Sequence, residues 1–224
     1  MSDVQLLPSY RAKSVRLAGQ SYFVDTEGVR LPSVTTILNT TKPAAAREAL
    51  RRWRDRVGAT EAQRISSTAS RRGTLTHKHL QRYLLGERAT CPEAAQPYWQ
   101  SLEPILPQVQ NVRLVEGFVF HRKLGYAGKV DCIASYKGVP CVFDWKTADK
   151  PKGSIDRLHD APLQLAAYCG AINACYAEHE IDLHNAAVVV AVPSQTAEVF
   201  WFEPEEMAHY WQQWQARVAQ FYNL

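Results

Sequence analysis

GYAGKVDCIASYKGVPCVFDWKT, residues 125–147, is the stretch that decides how this chain folds. Two apolar runs flank Lys137-Gly138, and a glycine at that place supplies the positive φ that a two-residue hairpin turn requires. The reading is a strand over Gly125–Tyr136, a turn, and a strand over Val139–Thr147. Counting back from Tyr136 opposite Val139 sets Asp131 against Asp144 and Lys129 against Lys146. Side chains alternate along a strand, so Lys129, Asp131, Asp144 and Lys146 share one face while Val130, Cys132, Phe143 and Trp145 share the other, the core face. Opposed carboxylates with Cβ atoms about 5 Å apart repel, and an ordinary ion-pair ladder sets lysine against aspartate. Like against like asks for a cation, and a hard divalent ion such as Mg2+ takes oxygen ligands of this kind. The plainer reading is a polar sheet face with diagonal Asp-to-Lys contacts.

Working outward, a helix is expected at Pro162 to about Ala177, strands at Ala186–Pro193 and Glu198–Phe202, and a closing helix from Pro204. Upstream lie a strand over Val112–His121 and a helical stretch over 93–110. Before them come helices ending near Leu85, near Val57 and in VTTILNT, and a hairpin from Lys13–Leu17 and Ser21–Asp25. This is an α/β chain whose mixed sheet is flanked by helices. It is expected to form a single domain over 1–224, with a mostly helical part over 1–110 and the strand core over 111–224.

At 224 residues, 46% hydrophobic and 21% charged, the composition is that of a globular protein and excludes disordered and fibrous classes. No apolar run is long enough to span a bilayer, and the start MSDVQLLPSYR lacks the pattern of a signal peptide, so the expectation is a cytoplasmic protein, in host cytoplasm if viral, with no membrane partner. The five cysteines form no CxxC pair, which argues against a zinc ribbon, an iron-sulfur cluster or a disulfide framework. The net charge of +4 is unevenly placed: residues 1–90 hold 16 basic and 7 acidic side chains, and ten of the basic ones fall between Arg47 and Arg82. Such a patch suits a polyanion partner, although a solvated amphipathic helix has the same pattern.

Four segments in order carry a resemblance. The hairpin with Asp131 and Asp144-Trp145-Lys146 resembles the core of the PD-(D/E)xK nuclease superfamily, in its RecB-like branch. RRGTLTHKHLQRYL (71–84) is similar to that branch's helix with a glycine and, four residues on, a metal-binding histidine, here Gly73 and His77. Gln164-Leu-Ala-Ala-Tyr168 matches its QxxxY motif. LPSVTTILNTTKP (31–43) is similar to the front of the mitochondrial genome maintenance exonucleases and of short phage and bacterial exonucleases. The resemblance implies a restriction-endonuclease-like core and a Mg2+-dependent deoxyribonuclease, with Mn2+ as a substitute ion, of use in DNA repair or recombination. By the same resemblance Asp131, Asp144, His77 and the Trp145 carbonyl ligate the ion, Lys146 acts on water or phosphate, and Gln164 and Tyr168 reach toward the site. The implied substrate is single-stranded DNA with a free end. An endonuclease on the same core and a non-catalytic nucleic-acid binding subunit are the rival readings.

The remaining candidates are read from the residues. Glu116 stands in VRLVEGFVF as an acid on an apolar face, needing the metal, a site lysine or an unrelated arginine as its partner. Lys129 contacts phosphate or sits at the sheet rim. In REALRRWRDR, Trp53 either stacks on bases between Arg51, Arg52 and Arg56 or packs in the core. Arg72 and Gly73 join them as DNA-binding candidates. Ser33 and Thr35, at a helix start, donate to a phosphate or simply cap the helix.

Overall fold

The computed structural model describes residues 6–224, so part of the start from which the signal-peptide reading is made lies outside the described residues. Three short strands, β1 (Ala12–Leu17), β2 (Gln20–Asp25) and β3 (Arg30–Pro32), form an antiparallel sheet. Helices α1 (Val34–Thr40), α2 (Ala44–Val57), α3 (Ala59–Leu84) and α4 (Gln96–Leu102) follow. Then come β4 (Val109–His121), β5 (Tyr126–Tyr136), β6 (Val139–Thr147), α5 (Ala161–Cys175), β7 (Ala186–Ala191), β8 (Glu198–Phe202) and α6 (Pro204–Tyr222). The second sheet runs β4-β5-β6-β7-β8, antiparallel except for β6 and β7, whose parallel pairing is made possible by the α5 crossover. This is the expected mixed sheet between helices. No described helix is long and apolar enough to cross a membrane.

Both faces of the large sheet are covered, which is why β7, AAVVVA, is buried at every position instead of alternating. On one face Val142, Val188 and Val190 pack under α5 and α6 with Leu165, Ile172 and Trp214. On the other, Cys132, Phe143, Trp145 and Val189 meet Leu80 and Leu84 of α3 and Tyr98 and Leu102 of α4. Helices α5 and α6 approach closely because Gly170 has no side chain: a Cβ there would lie 2.2 Å from the Trp211 ring.

The hairpin register is the counted one, from Tyr136 opposite Val139 to Cys132 opposite Phe143. There the ladder stops. Strand β6 continues alongside β7, with Asp144 opposite Val188 and Lys146 opposite Val190, while the Asp131 side chain takes the Trp145 N–H at 2.9 Å. A fork therefore opens between β5 and β6 where Asp131 and Asp144 stand. Val130, expected beside Cys132 and Trp145, packs instead with Val142 on the α5 side, because strict alternation ends at the fork.

Two other departures have local causes. The stretch 93–110 is one short helix between two 3-10 turns, broken by Pro104 and Pro107, and β4 begins at Val109 because Gln110 pairs with Ser135 across a bulge. Asn111 sits in that bulge with φ 50°. Strand β3 has three residues, too few to show a period.

The β4–β5 turn carries a pH dependence. His121 lies between the Tyr126 and Trp211 rings, 5.2 and 5.8 Å between centroids, and its Nδ1 accepts the Leu124 N–H at 3.2 Å. Burial, with repulsion from Lys123, lowers its pKa below the usual 6.5. The folded state therefore prefers the neutral ring, and this contribution is present above the unfolded pKa and lost as pH falls below it. His121→Phe should flatten the decline in urea midpoint between pH 7.5 and 5.5, because a phenyl ring has no proton to gain. Parallel declines in variant and wild type would remove His121 from the account.

Candidate active site

Three elements meet at the fork. Helix α3 brings His77, β4 brings Glu116, and β5 brings Asp131; one potential ligand atom from each lies within 4.8 Å of the others. His77 Nδ1 is 3.4 Å from Glu116 Oε1 and 3.8 Å from Asp131 Oδ1. They line a polar cleft of about 390 Å³ together with Lys129, Lys78 and Gln81.

Glu116 reaches this place through its backbone. Its φ of 52° is left-handed, a costly conformation for a residue with a side chain, between the paired positions Val115–Cys132 and Gly117–Val130. Simple alternation sets it with Leu114, Phe118 and Phe120; the left-handed residue turns it toward His77 and Lys129 instead. Its Oε2 accepts from Lys129 Nζ at 2.6 Å. Burial alone pushes the Glu116 carboxyl up, but the hydrogen bonds from His77 and Lys129 outweigh it and hold the pKa below the usual value. Of the partners open to it, the structure places a site lysine and a site histidine.

His77 Nε2 donates to the Trp145 carbonyl at 2.7 Å. That carbonyl, expected as a metal ligand, is thus engaged by the histidine, an arrangement that fixes the ring and leaves Nδ1 toward the carboxylates. Burial works against charge on the imidazole, yet Glu116, Asp131 and the Trp145 carbonyl raise its pKa to about 9. Burial, with the Asp144 charge beside it, holds Asp131 well above the usual carboxylate range.

Asp144 is 1% exposed. Its Oδ1 accepts from Lys146 Nζ at 2.9 Å; Oδ2 lies in ion-pair range of the same ammonium at 2.8 Å but has no hydrogen bond directed at it. Burial disfavours the Lys146 charge, and the Asp144 carboxylate more than compensates, raising its pKa. Gln164 links this pair to the core: its Oε1 is 3.4 Å from Lys146 Nζ and its Nε2 donates to Tyr168 Oη at 2.8 Å. Tyr168 lies against Gly128 of β5, where a Cβ would come 2.5 Å from its ring. The motif residues Gln164 and Tyr168 therefore form a brace behind Lys146.

The donor set suits a hard divalent cation: two clustered carboxylates, one imidazole, and beside them Asp144 with an oxygen that no hydrogen bond satisfies.

The other candidates are more scattered. Arg51, Arg52, Trp53 and Arg56 stand on α2, none of whose residues is buried; Arg51 pairs with Glu48 at 3.0 Å, and Trp53 lies outside the core. Ser33 caps α1, its Oγ accepting the Thr36 N–H at 3.1 Å, and contacts Thr35 Oγ1 at 3.0 Å. Gly73 lines the cleft. Arg72 does not present a free cation: it pairs with Asp149. Lys78 and Gln81, not singled out from the sequence, line the cleft one and four positions beyond His77. Helical spacing from that histidine is the signal that finds Gln81, four residues on; it does not find Lys78. His79 packs edge-on to Trp99 at 4.4 Å, as befits a structural residue.

No protein-family profile matches the chain. It is 33% identical to mitochondrial genome maintenance exonuclease 1 of Mus musculus over 199 residues, 85% of this chain and 59% of that protein. The proteins of that name from Xenopus tropicalis and Homo sapiens are each 32% identical, over 57% and 58% of their lengths. The chain thus spans less than two thirds of these curated relatives. A solved structure of a candidate exonuclease from Eubacterium rectale overlaps 68% of this chain with a TM-score of 0.41 at 12% identity. Along 85% of its own length this chain is similar to mitochondrial genome maintenance exonuclease 1.

Proposed function

We propose that this chain is a Mg2+-dependent deoxyribonuclease, an exonuclease that digests single-stranded DNA from a free end, with Mn2+ able to replace Mg2+. The observation that carries the reading is the fork: His77, Glu116 and Asp131 converge on one cleft, and the Asp144–Lys146 pair lies near Asp131. The exonuclease name of the relatives supports the same reaction class.

Asp131, Asp144, His77 and Glu116 would hold a divalent ion, which would supply Lewis acidity and a stronger nucleophile at neutral pH. Lys146, held by Asp144 and braced by Gln164 and Tyr168, presents a fixed positive charge where negative charge builds on the phosphate. Lys129, bonded to Glu116, lines the same cleft and is available to a neighbouring phosphate. No protein nucleophile is needed, because water is the attacking group.

The reading is tested by titrating Mg2+ and then EDTA against end-labelled single-stranded DNA. Cleavage should follow the metal and vanish with chelation; full activity in excess EDTA overturns the proposal, and metal-independent binding without cleavage favours the non-catalytic reading. His77→Ala should weaken Mn2+ binding about 10-fold or more and lower activity, with more activity retained in Mn2+ than in Mg2+, since Mn2+ accepts nitrogen ligands more readily. His79→Ala should leave metal affinity unchanged. Equal Mn2+ affinities of wild type and His77→Ala by calorimetry would return His77 to a packing role.

A further inference from the structure

Arg72 belongs to the basic run of α3, and its side chain is the one part of that run built into the protein. Its guanidinium pairs with Asp149, donates through Nε to Thr147 Oγ1 at 3.3 Å, and lies 4.9 Å over the Tyr98 ring; the side chain is 12% exposed. Tyr98 Oη in turn donates to Asp149 Oδ1 at 3.3 Å. Thr147 and Asp149 are one and three residues beyond Lys146, at the end of β6. Five residues along α3 from Arg72, His77 reaches the Trp145 carbonyl of the same strand at 2.7 Å. Helix and strand are thus joined at two points, one by Arg72 and one by His77. Between them Gly73 lies against Thr147, its Cβ position 3.8 Å from Oγ1.

We infer that Arg72, with Asp149 and Tyr98, is a positioning device: it fixes the register of α3 on β6 and thereby seats the His77 imidazole against the Trp145 carbonyl and the two carboxylates. A helix free to slide or rotate on the strand changes the position of His77 by ångströms, and partners that orient a metal-binding histidine typically contribute 10- to 100-fold to metal affinity. The planar guanidinium suits this task because it serves a carboxylate, a hydroxyl and an aromatic face at once, which an ammonium cannot do. The buried geometry also separates Arg72 from Arg71 beside it, which is exposed. This inference deepens the metal-site reading above and rests on it only for its consequence in metal binding; the claim about the helix stands on the metal-free protein.

The test uses Arg72→Met, which keeps the packing volume, Asp149→Asn, which loosens the device from its exposed end, and Arg71→Met as control. In the metal-free protein the His77 Nε2–H should give a protected imidazole signal by NMR, retained in Arg71→Met and lost or exchanging much faster in both other variants. Mn2+ affinity should fall about 10-fold in Arg72→Met and Asp149→Asn, with the double variant no worse than either alone. Affinity for single-stranded DNA in metal-free buffer, and its dependence on salt, should be unchanged. An unaltered His77 signal in both variants overturns the inference, as does a drop in DNA affinity with a flatter salt dependence at undiminished Mn2+ affinity, the result for a phosphate contact. If wild type itself binds no Mn2+ while the His77 signal still depends on Arg72, the metal reading fails and the positioning role stands.

Discussion

Asp131→Asn and Asp144→Asn should each abolish DNA cleavage, with rates falling by 10²- to 10³-fold or more, while binding of single-stranded DNA in metal-free buffer stays within a factor of about two. The two variants differ in what they do to the fold. Asparagine at 131 still offers an oxygen to the Trp145 N–H, so the fork stays tied. It also removes one of two neighbouring like charges, and its melting temperature should be no lower than that of wild type. Asparagine at 144 leaves Lys146 without its carboxylate partner in a site where Asp144 is 1% exposed, and the protein should lose stability as well as activity. Lys146→Ala should also stop turnover while sparing Mn2+ affinity, because Lys146 contributes charge near the phosphate and no ligand. Near-normal turnover in Mg2+ by both Asp variants would remove these carboxylates from the chemistry.

That the fork was partly legible beforehand follows from what a hairpin encodes. A two-residue turn at Lys137-Gly138 and a period of two fix the register, so Asp131 and Asp144 are placed from a short stretch of chain. The ending of the ladder at Cys132–Phe143 is not encoded there. It depends on β7 taking over β6 and on the left-handed backbone at Glu116, which only the pairing of β4 with β5 reveals. Glu116 reads locally as an acid on an apolar face, and the turn of its backbone changes what it meets. His77 lies far from the hairpin in sequence, and its spacing after Gly73 identifies it only through the family resemblance. Arg72 shows the limit most clearly. Its neighbours describe a basic helix face, whereas its partners Tyr98, Thr147 and Asp149 come from two other places in the chain. No local pattern announces such a contact.

Linear single-stranded DNA should be digested quickly, blunt duplex slowly and circular single strands hardly at all. Helix α2 has no buried residue and so owes little of its position to the core. It presents Arg51, Arg52, Arg54 and Arg56 to solvent around the half-buried Trp53. A helix so charged, followed after Gly58 by the helix that carries His77, offers a strand both phosphate contacts and an aromatic face. Stacking on Trp53 is sequence-tolerant and needs an unpaired base, which favours a single strand over a duplex. Arg51→Ala, Arg52→Ala and Arg56→Ala combined should weaken binding and flatten the salt dependence of log K by up to about 2, since each phosphate contact on a single strand contributes about 0.7 to the slope. Trp53→Ala should cost about 1–3 kcal/mol of affinity with the slope unchanged, because stacking releases no counterions. If the substrate must enter by an end, sealing that end removes the reaction without removing the binding, so circular DNA should compete for the protein while resisting it. Circular single strands cut as fast as linear ones would reject entry by an end and leave the endonuclease reading on the same fork of carboxylates.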